Sequence, residues 1–314
     1  MSHDHHDHSA RGHSHSSGHS HAPASFSKAF AVGTVLNLTF VIVEIIYGLR
    51  AHSLSLVADA GHNLGDVLGL VLAWIAATLA TGLPTKHRTY GMRRFSILAA
   101  LANALLLLIA IGGITWEAIG RLRDPEPVAG GTVIVVAAIG IVINTVTALM
   151  FMRGRKGDIN IRGAFLHMAA DAAVSAGVVV AGIIIWRIGW LWLDPAVSLV
   201  LVAVIAVGTW GLLRDSANLA LDAVPPGIDR GAVETYLTSL PGVTAVHDLH
   251  IWGMSTTEAA LTVHLIKPEV ADDDQLLLEV SNVLEGRFHI HHATVQVERG
   301  HGPTPCALEP AEVV

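Results

Sequence analysis

Cysteine is almost absent: Cys306 is the only one among 314 residues. No disulfide can close within the chain, and a lone thiol suits a reducing compartment for the C-terminal tail. Charge is scarce as well. Asp, Glu, Lys and Arg make up 14% of the sequence against 52% hydrophobic residues, and a mean hydropathy of +0.55 excludes a soluble protein of ordinary composition. What charge there is sums to −7, the wrong sign for a nucleic-acid partner. No Gly-x-x-x-x-Gly-Lys-Ser/Thr phosphate loop occurs, which removes that route to ATP drive. No His-Glu-x-x-His occurs either, and no enzyme is expected. Residues 1–25 lack the apolar run of a cleavable signal peptide, so the N-terminus is expected to stay.

What the sequence does hold is six apolar runs, near residues 30–49, 55–80, 96–119, 131–152, 164–186 and 195–213. Each is about the 20 residues a helix needs to cross hydrocarbon, where backbone groups must satisfy one another. The fold class is therefore an α-helical polytopic membrane protein with six transmembrane helices. Basic residues orient it. Lys86, Arg88, Arg93 and Arg94 lie between runs 2 and 3, and Arg153, Arg155, Lys156 and Arg162 between runs 4 and 5. Against these eight stand only four on the other side: Arg50, Arg121, Arg123 and Arg187. Because Lys and Arg collect on the cytoplasmic side, those two loops are expected there, together with the N-terminus and everything after Arg214.

Runs 2 and 5 carry polar residues that hydrocarbon does not tolerate without a reason. Run 2 contains Asp59, His62 and Asp66, and run 5 contains His167 and Asp171. In both, His and Asp are four residues apart and share a helix face. A charged side chain at membrane depth costs several kcal/mol unless it faces the bundle interior. Two imidazoles and two carboxylates suit Zn²⁺, since four N/O donors complete a tetrahedral shell and two carboxylates cancel the charge. The bland alternative is hydrogen-bond glue between helices. Glu44, Asn37, Asn103 and Asn144 are lone polar residues that read as packing or lining, and Asp59 shares the Asp66 stripe as part of an access path.

Beyond Arg214 the pattern becomes soluble: helix over 229–240, strands over 243–252 and 257–266, helix over 272–288, strand over 293–298. Alternation in Leu261–Leu265 and Ala293–Glu298 supports the strands and a small α+β domain. His247, His250, His264, His289, His291 and His292 crowd into it, with Glu298 and Cys306 downstream. Residues 1–21 hold eight histidines among Ser, Gly and Asp, a composition that cannot bury a core and reads as a disordered chelating tail.

Four segments together resemble the cation diffusion facilitators, the zinc-exporting group that includes bacterial cobalt-zinc-cadmium resistance transporters and animal zinc transporters. They are Ser55-Leu-Ser-Leu-Val-Ala-Asp59-Ala-Gly-His62-Asn-Leu-Gly-Asp66, Tyr90-Gly-Met-Arg-Arg94, His167-Met-Ala-Ala-Asp171 and Val246-His-Asp-Leu-His-Ile-Trp252. The resemblance runs from about residue 26 to 306. It implies a transport site of His62, Asp66, His167 and Asp171, and a metallochaperone-like, ferredoxin-like cytoplasmic domain that contributes to a homodimer. There it implies His247, His264, His291 and Glu298 as regulatory ligands, with Cys306 offered to the dimer partner. It also implies an interlock of Arg94 with Asp222. A second metal site of some members is not carried over, because Thr85, Arg88 and Met92 occupy its positions.

The expected organisation is a His-rich tail (1–25), a membrane domain (26–214), a cytoplasmic domain (215–300) and a C-terminal tail (301–314). His and Asp ligands bind metal only when deprotonated, so protons and Zn²⁺ compete for one site. A site that opens alternately to each side then exchanges Zn²⁺, and Cd²⁺ or Co²⁺ with it, for H⁺ across a bacterial plasma membrane. A passive divalent-cation facilitator, or a membrane-bound metal sensor or storage protein, would use the same residues.

Overall fold

A computed structural model describes residues 28–80, 82–152, 159–269, 273–300, 306 and 308. The histidine-rich tail, the loop basics Arg153, Arg155 and Lys156, and most of 301–314 lie outside these. Six long helices come first: α1 (Lys28–Arg50), α2 (Leu54–Ala80), α3 (Phe95–Arg123), α4 (Gly130–Met152), α5 (Ile159–Ile188) and α6 (Leu193–Ala220). Among the described residues, α2 to α6 each contain a stretch long and apolar enough to span a bilayer, and α1 is the sixth helix, with Glu44 its one acid. α3, α5 and α6 run a turn or more past their apolar runs. Chain chemistry sets the stops. Asp124 is extended ahead of Pro125, which ends α3, and Gly189 at φ 78° closes α5. Side chains that would meet lipid, such as Ile109, Trp116 and Val207, are apolar and exposed.

Small residues decide which helices meet closely. A Cβ on Gly130 would lie 3.0 Å from the Gly182 carbonyl and from the Trp186 backbone nitrogen, so α4 and α5 pack backbone to backbone. α3 packs on α6, and α2 lies between α1 and α3. The start of α2 is fixed by a residue of another helix. Asp194, fully buried in the first turn of α6, accepts from Leu54 N at 2.6 Å and Ser55 N at 3.3 Å, and from the Ser53 and Ser55 hydroxyls, both at 2.6 Å. It supplies from a distance the carboxylate that an N-terminal helix cap supplies locally.

The C-terminal domain orders as α7 (Arg230–Thr238), β1 (Ala245–Gly253), β2 (Ala259–Ile266), α8 (Asp273–Phe288) and β3 (Ile290–Glu298). β1 pairs antiparallel with β2, and β2 parallel with β3. Val233 and Leu237 of α7 and Val280, Leu284 and Phe288 of α8 bury against Leu249, Ile251, Leu261, Val263 and Leu265 of the sheet. β3 starts earlier than alternation suggests, because Ile290 is buried and pairs with Ala259.

Among the described residues, the contacts that join this domain to the membrane part include two ion pairs and a hydrogen bond. Arg94 meets Asp222, Arg93 Nη1 lies 2.8 Å from Glu258 Oε2, and Thr256 N donates to Ser96 Oγ at 3.1 Å. The last two seat the β1–β2 turn on the first residues of α3.

Candidate metal centre

His62 and Asp66 of α2 face His167 and Asp171 of α5. His167 Nε2 lies 3.0 Å from Asp66 Oδ2 and 3.7 Å from Asp171 Oδ2. His62 Nε2 lies 3.4 Å from Asp171 Oδ1 and 3.8 Å from Asp66 Oδ2. The two rings stand edge to face, 5.8 Å apart. One donor atom each from His62, Asp66 and His167 falls within a 4.8 Å sphere of mutual distance, with Asp171 touching both histidines. Zn²⁺ bonds of about 2.0–2.1 Å place tetrahedral donors about 3.3 Å apart, and the four His–Asp separations of 3.0 to 3.8 Å bracket that value, with Asp171 meeting the two histidines through different oxygens. Exposure is graded along the site. Asp171 is 2% exposed, while the side chains of Asp66 and His167 are 31% and 42% exposed.

A second cluster lies on the sheet of the C-terminal domain. His247 and His264 are cross-strand partners on β1 and β2, with His264 Nδ1 3.3 Å from His247 Nε2. Glu298, at the end of β3, reaches both, at 3.0 Å from His264 Nδ1 and 3.6 Å from His247 Nε2. Cys306 Sγ lies 3.7 Å from His264 Nδ1 within the same chain. The longer Zn–S bond of about 2.3 Å suits that wider separation. The bulge between His247 and His250 is what admits Asp248. At φ 51°, a conformation Asp tolerates better than most residues, Asp248 turns its carboxylate to His250 at 2.8 Å and to His264 Nε2 at 3.5 Å. Such a carboxylate holds a ligand imidazole in one orientation.

Residues 30–219 match the family described as the cation efflux transmembrane domain, and residues 225–300 match the cation efflux protein cytoplasmic domain. The chain belongs to the cation efflux family. It is an integral membrane protein. This cation efflux protein is 36% identical to the metal cation efflux system protein CzcD of Cupriavidus metallidurans over 90% of each chain. It is 32% identical to a cadmium, cobalt and zinc/H(+)-K(+) antiporter of Bacillus subtilis, over 90% of this chain and 92% of that one. It is 34% identical to the zinc transporter ZitB of Escherichia coli, over 93% and 94%.

Some expected residues lie elsewhere. His291 is exposed at the bulge that starts β3. Seven residues of strand, about 23 Å at 3.3 Å per residue, separate it from Glu298, so the structure does not bring it into the cytoplasmic cluster. His292 packs edge to face on Tyr90, and Arg88 Nη1 sits 3.0 Å from Met92 Sδ in the loop after α2. Three residues that matter were not legible as partners in the sequence: Asp194, Asp248 and Glu44. Nothing local marks the first two. Glu44 was read as lone, yet it accepts from Asn63 Nδ2 at 3.4 Å, on the helix that carries His62.

Proposed function

We propose that this cation efflux protein exports Zn²⁺ from the cytoplasm in exchange for protons, with His62, Asp66, His167 and Asp171 as the transport ligands. The observation that carries this is that His62 and Asp66 of one membrane helix meet His167 and Asp171 of another, with four His–Asp separations of 3.0 to 3.8 Å. The donor set fits a substrate that must be released. Both imidazoles must lose their protons to bind Zn²⁺ and can regain them when it leaves, so each load of metal displaces protons. Four protein donors leave no open position for an activated water, which argues for transport rather than catalysis.

Direction follows from the exposure gradient. Along α2, exposure rises from Asp59 towards Asp66, and along the antiparallel α5 it falls from His167 through Asp171 to Ser175. The site is thus open towards the ends of α2 and α5 that adjoin the basic loops and closed towards the other face. With basic loops inside, that is a state ready to take cytoplasmic metal. His247, His264, Glu298 and Cys306 would hold a regulatory Zn²⁺ in the cytoplasmic domain, oriented by Asp248. The working unit is a homodimer, and Cd²⁺ and Co²⁺ are lesser substrates, because ligand type overlaps among these ions.

The test is Zn²⁺ uptake into everted or reconstituted vesicles under an imposed proton gradient. Wild type should accumulate Zn²⁺ only with the gradient, and Asp171→Ala should lose at least 90% of that uptake. Uptake indifferent to both the gradient and the substitution contradicts the proposal.

A further inference from the structure

Between the metal quartet and the closed end of the site lie two carboxyls that the quartet does not use. Glu44 of α1 is 0% exposed and Asp59 of α2 is 1% exposed. Glu44 bonds to Asn63, one turn along α2 from Asp59 and on the same helix face, which sets the two carboxyls beside one another. Asn63 Nδ2 donates to Glu44 Oε2 at 3.4 Å, and Ser175 Oγ of α5 donates to Asp59 Oδ2 at 3.2 Å. That leaves Glu44 Oε1 and Asp59 Oδ1 buried with no donor from any described side chain. No Lys, Arg or His among the described residues forms an ion pair with either.

Two adjacent bare carboxylates without a cation are not tolerated at this depth. An O–H of one carboxyl bonded to the other supplies the donor that the described side chains do not. Beyond the quartet, the buried acid that meets the start of α2 is Asp194 of α6, a turn towards the closed end, whose carboxylate is taken up by the Ser53 and Ser55 hydroxyls and by Leu54 N and Ser55 N. α2 and α5 bring His62, Asp66, His167 and Asp171. α4 (Gly130–Met152) has no acid or base, and none occurs in α3 between Phe95 and Trp116 or in α6 between Pro195 and Leu213.

The geometry points to Glu44 and Asp59 as a proton-carrying site separate from the metal ligands, one that takes the counter-transported proton from the outer face. Asp59 is three residues before His62, so the pair lies about 4.5 Å of helix rise nearer the closed end. Electrostatics couples the two sites without shared atoms. Once Zn²⁺ has left and before the imidazoles regain their protons, the quartet carries the net charge of its two carboxylates and favours an extra proton on the pair. Zn²⁺ in the quartet cancels that charge and releases the proton. The only bonds made and broken are O–H bonds: one proton is gained by a carboxylate from outside and the same proton is delivered towards the cytoplasm when metal loads.

This inference rests on the antiport proposal, and the experiment separates them. Wild type, Glu44→Gln and Asp59→Asn are reconstituted, and three quantities are read: Zn²⁺ affinity in detergent by calorimetry, Zn²⁺ uptake driven by a proton gradient, and Zn²⁺ counterflow with metal on both sides and no gradient. Both variants should keep Zn²⁺ affinity and counterflow within about threefold of wild type while gradient-driven uptake falls at least tenfold. Variants that keep wild-type driven uptake overturn the proton site but leave antiport standing. A wild type without gradient response sinks antiport itself. Loss of Zn²⁺ binding in a folded variant makes the pair a metal ligand and also overturns the inference. Should neither variant fold, the infrared spectrum of the wild-type protein decides. A protonated-carboxyl carbonyl band at pH 7 that weakens on Zn²⁺ addition is expected, and its absence overturns the site.

Discussion

Asp194 shows how one side chain sets the frame for the metal ligands. Its carboxylate takes one hydrogen bond from Ser53 and three from Leu54 and Ser55 at the start of α2, the helix that presents His62 and Asp66 two and three turns later. Charge-assisted hydrogen bonds of this kind are worth more than neutral ones, and their loss strands buried donors. Asp194→Ala should lower stability by about 2–4 kcal/mol and weaken Zn²⁺ binding as α2 shifts. Thermal melting in detergent, with and without Zn²⁺, checks this, and an unchanged melting curve would contradict it. At the quartet the sign with pH is plain. Protons compete with Zn²⁺ for two imidazoles and two carboxylates, so apparent affinity should fall by about 10–100-fold per pH unit below the ordinary histidine value of about 6.5. Calorimetry at a series of pH values, on protein lacking the cytoplasmic cluster, would show it.

At the scale of elements, the helices were legible because a bilayer demands long apolar runs, and the pairs on α2 and α5 because i and i+4 share a face. That α2 and α5 meet was not legible from spacing, since 101 residues separate Asp66 from His167, and only the family resemblance implied it. Nor was the role of Glu44, because only packing turns that face of α1 towards Asn63. In the cytoplasmic domain, His247 and His264 follow from strand pairing, whereas His291 shares a short sequence window with Glu298 but not its end of the strand. The junction between the two parts is a mixed case. Arg94 with Asp222 was anticipated from the family resemblance, but Arg93 with Glu258 was not. Both pairs are about a third to a half exposed, so each contributes at most about 1 kcal/mol, and alignment rather than stability is their work. Glu258→Arg should slow transport several-fold while leaving the melting temperature within about 2 °C, and Arg93→Glu added to it should restore the rate. Asp273 behaves differently. Hydrogen bonds from Lys267 first and Arg299 second hold its carboxyl below the ordinary value, so its contribution is present above about pH 4 and fades as pH falls through the lowered value. Asp273→Asn should therefore loosen the start of α8 at pH 7, seen as faster amide exchange, and differ little from wild type in strong acid.

Across the whole molecule, the membrane helices hold the quartet, and the sheet holds three further donors with Cys306 beside them, the two parts meeting where the β1–β2 turn sits against the start of α3. On the antiport proposal, the quartet carries the ion and a metal held at the cytoplasmic cluster would act on the helices through this contact. The central claim is that His62, Asp66, His167 and Asp171 together hold the transported ion. It is tested most directly by zinc X-ray absorption on protein in which the eight histidines of residues 1–21 are replaced by serine and His264→Ala and Cys306→Ala have emptied the cytoplasmic cluster. The account predicts one tightly held Zn²⁺ with four N/O ligands at about 2.0–2.1 Å and no sulfur, lost in Asp171→Ala. Six water-like oxygens at longer distance, or an unchanged spectrum in Asp171→Ala, would contradict it.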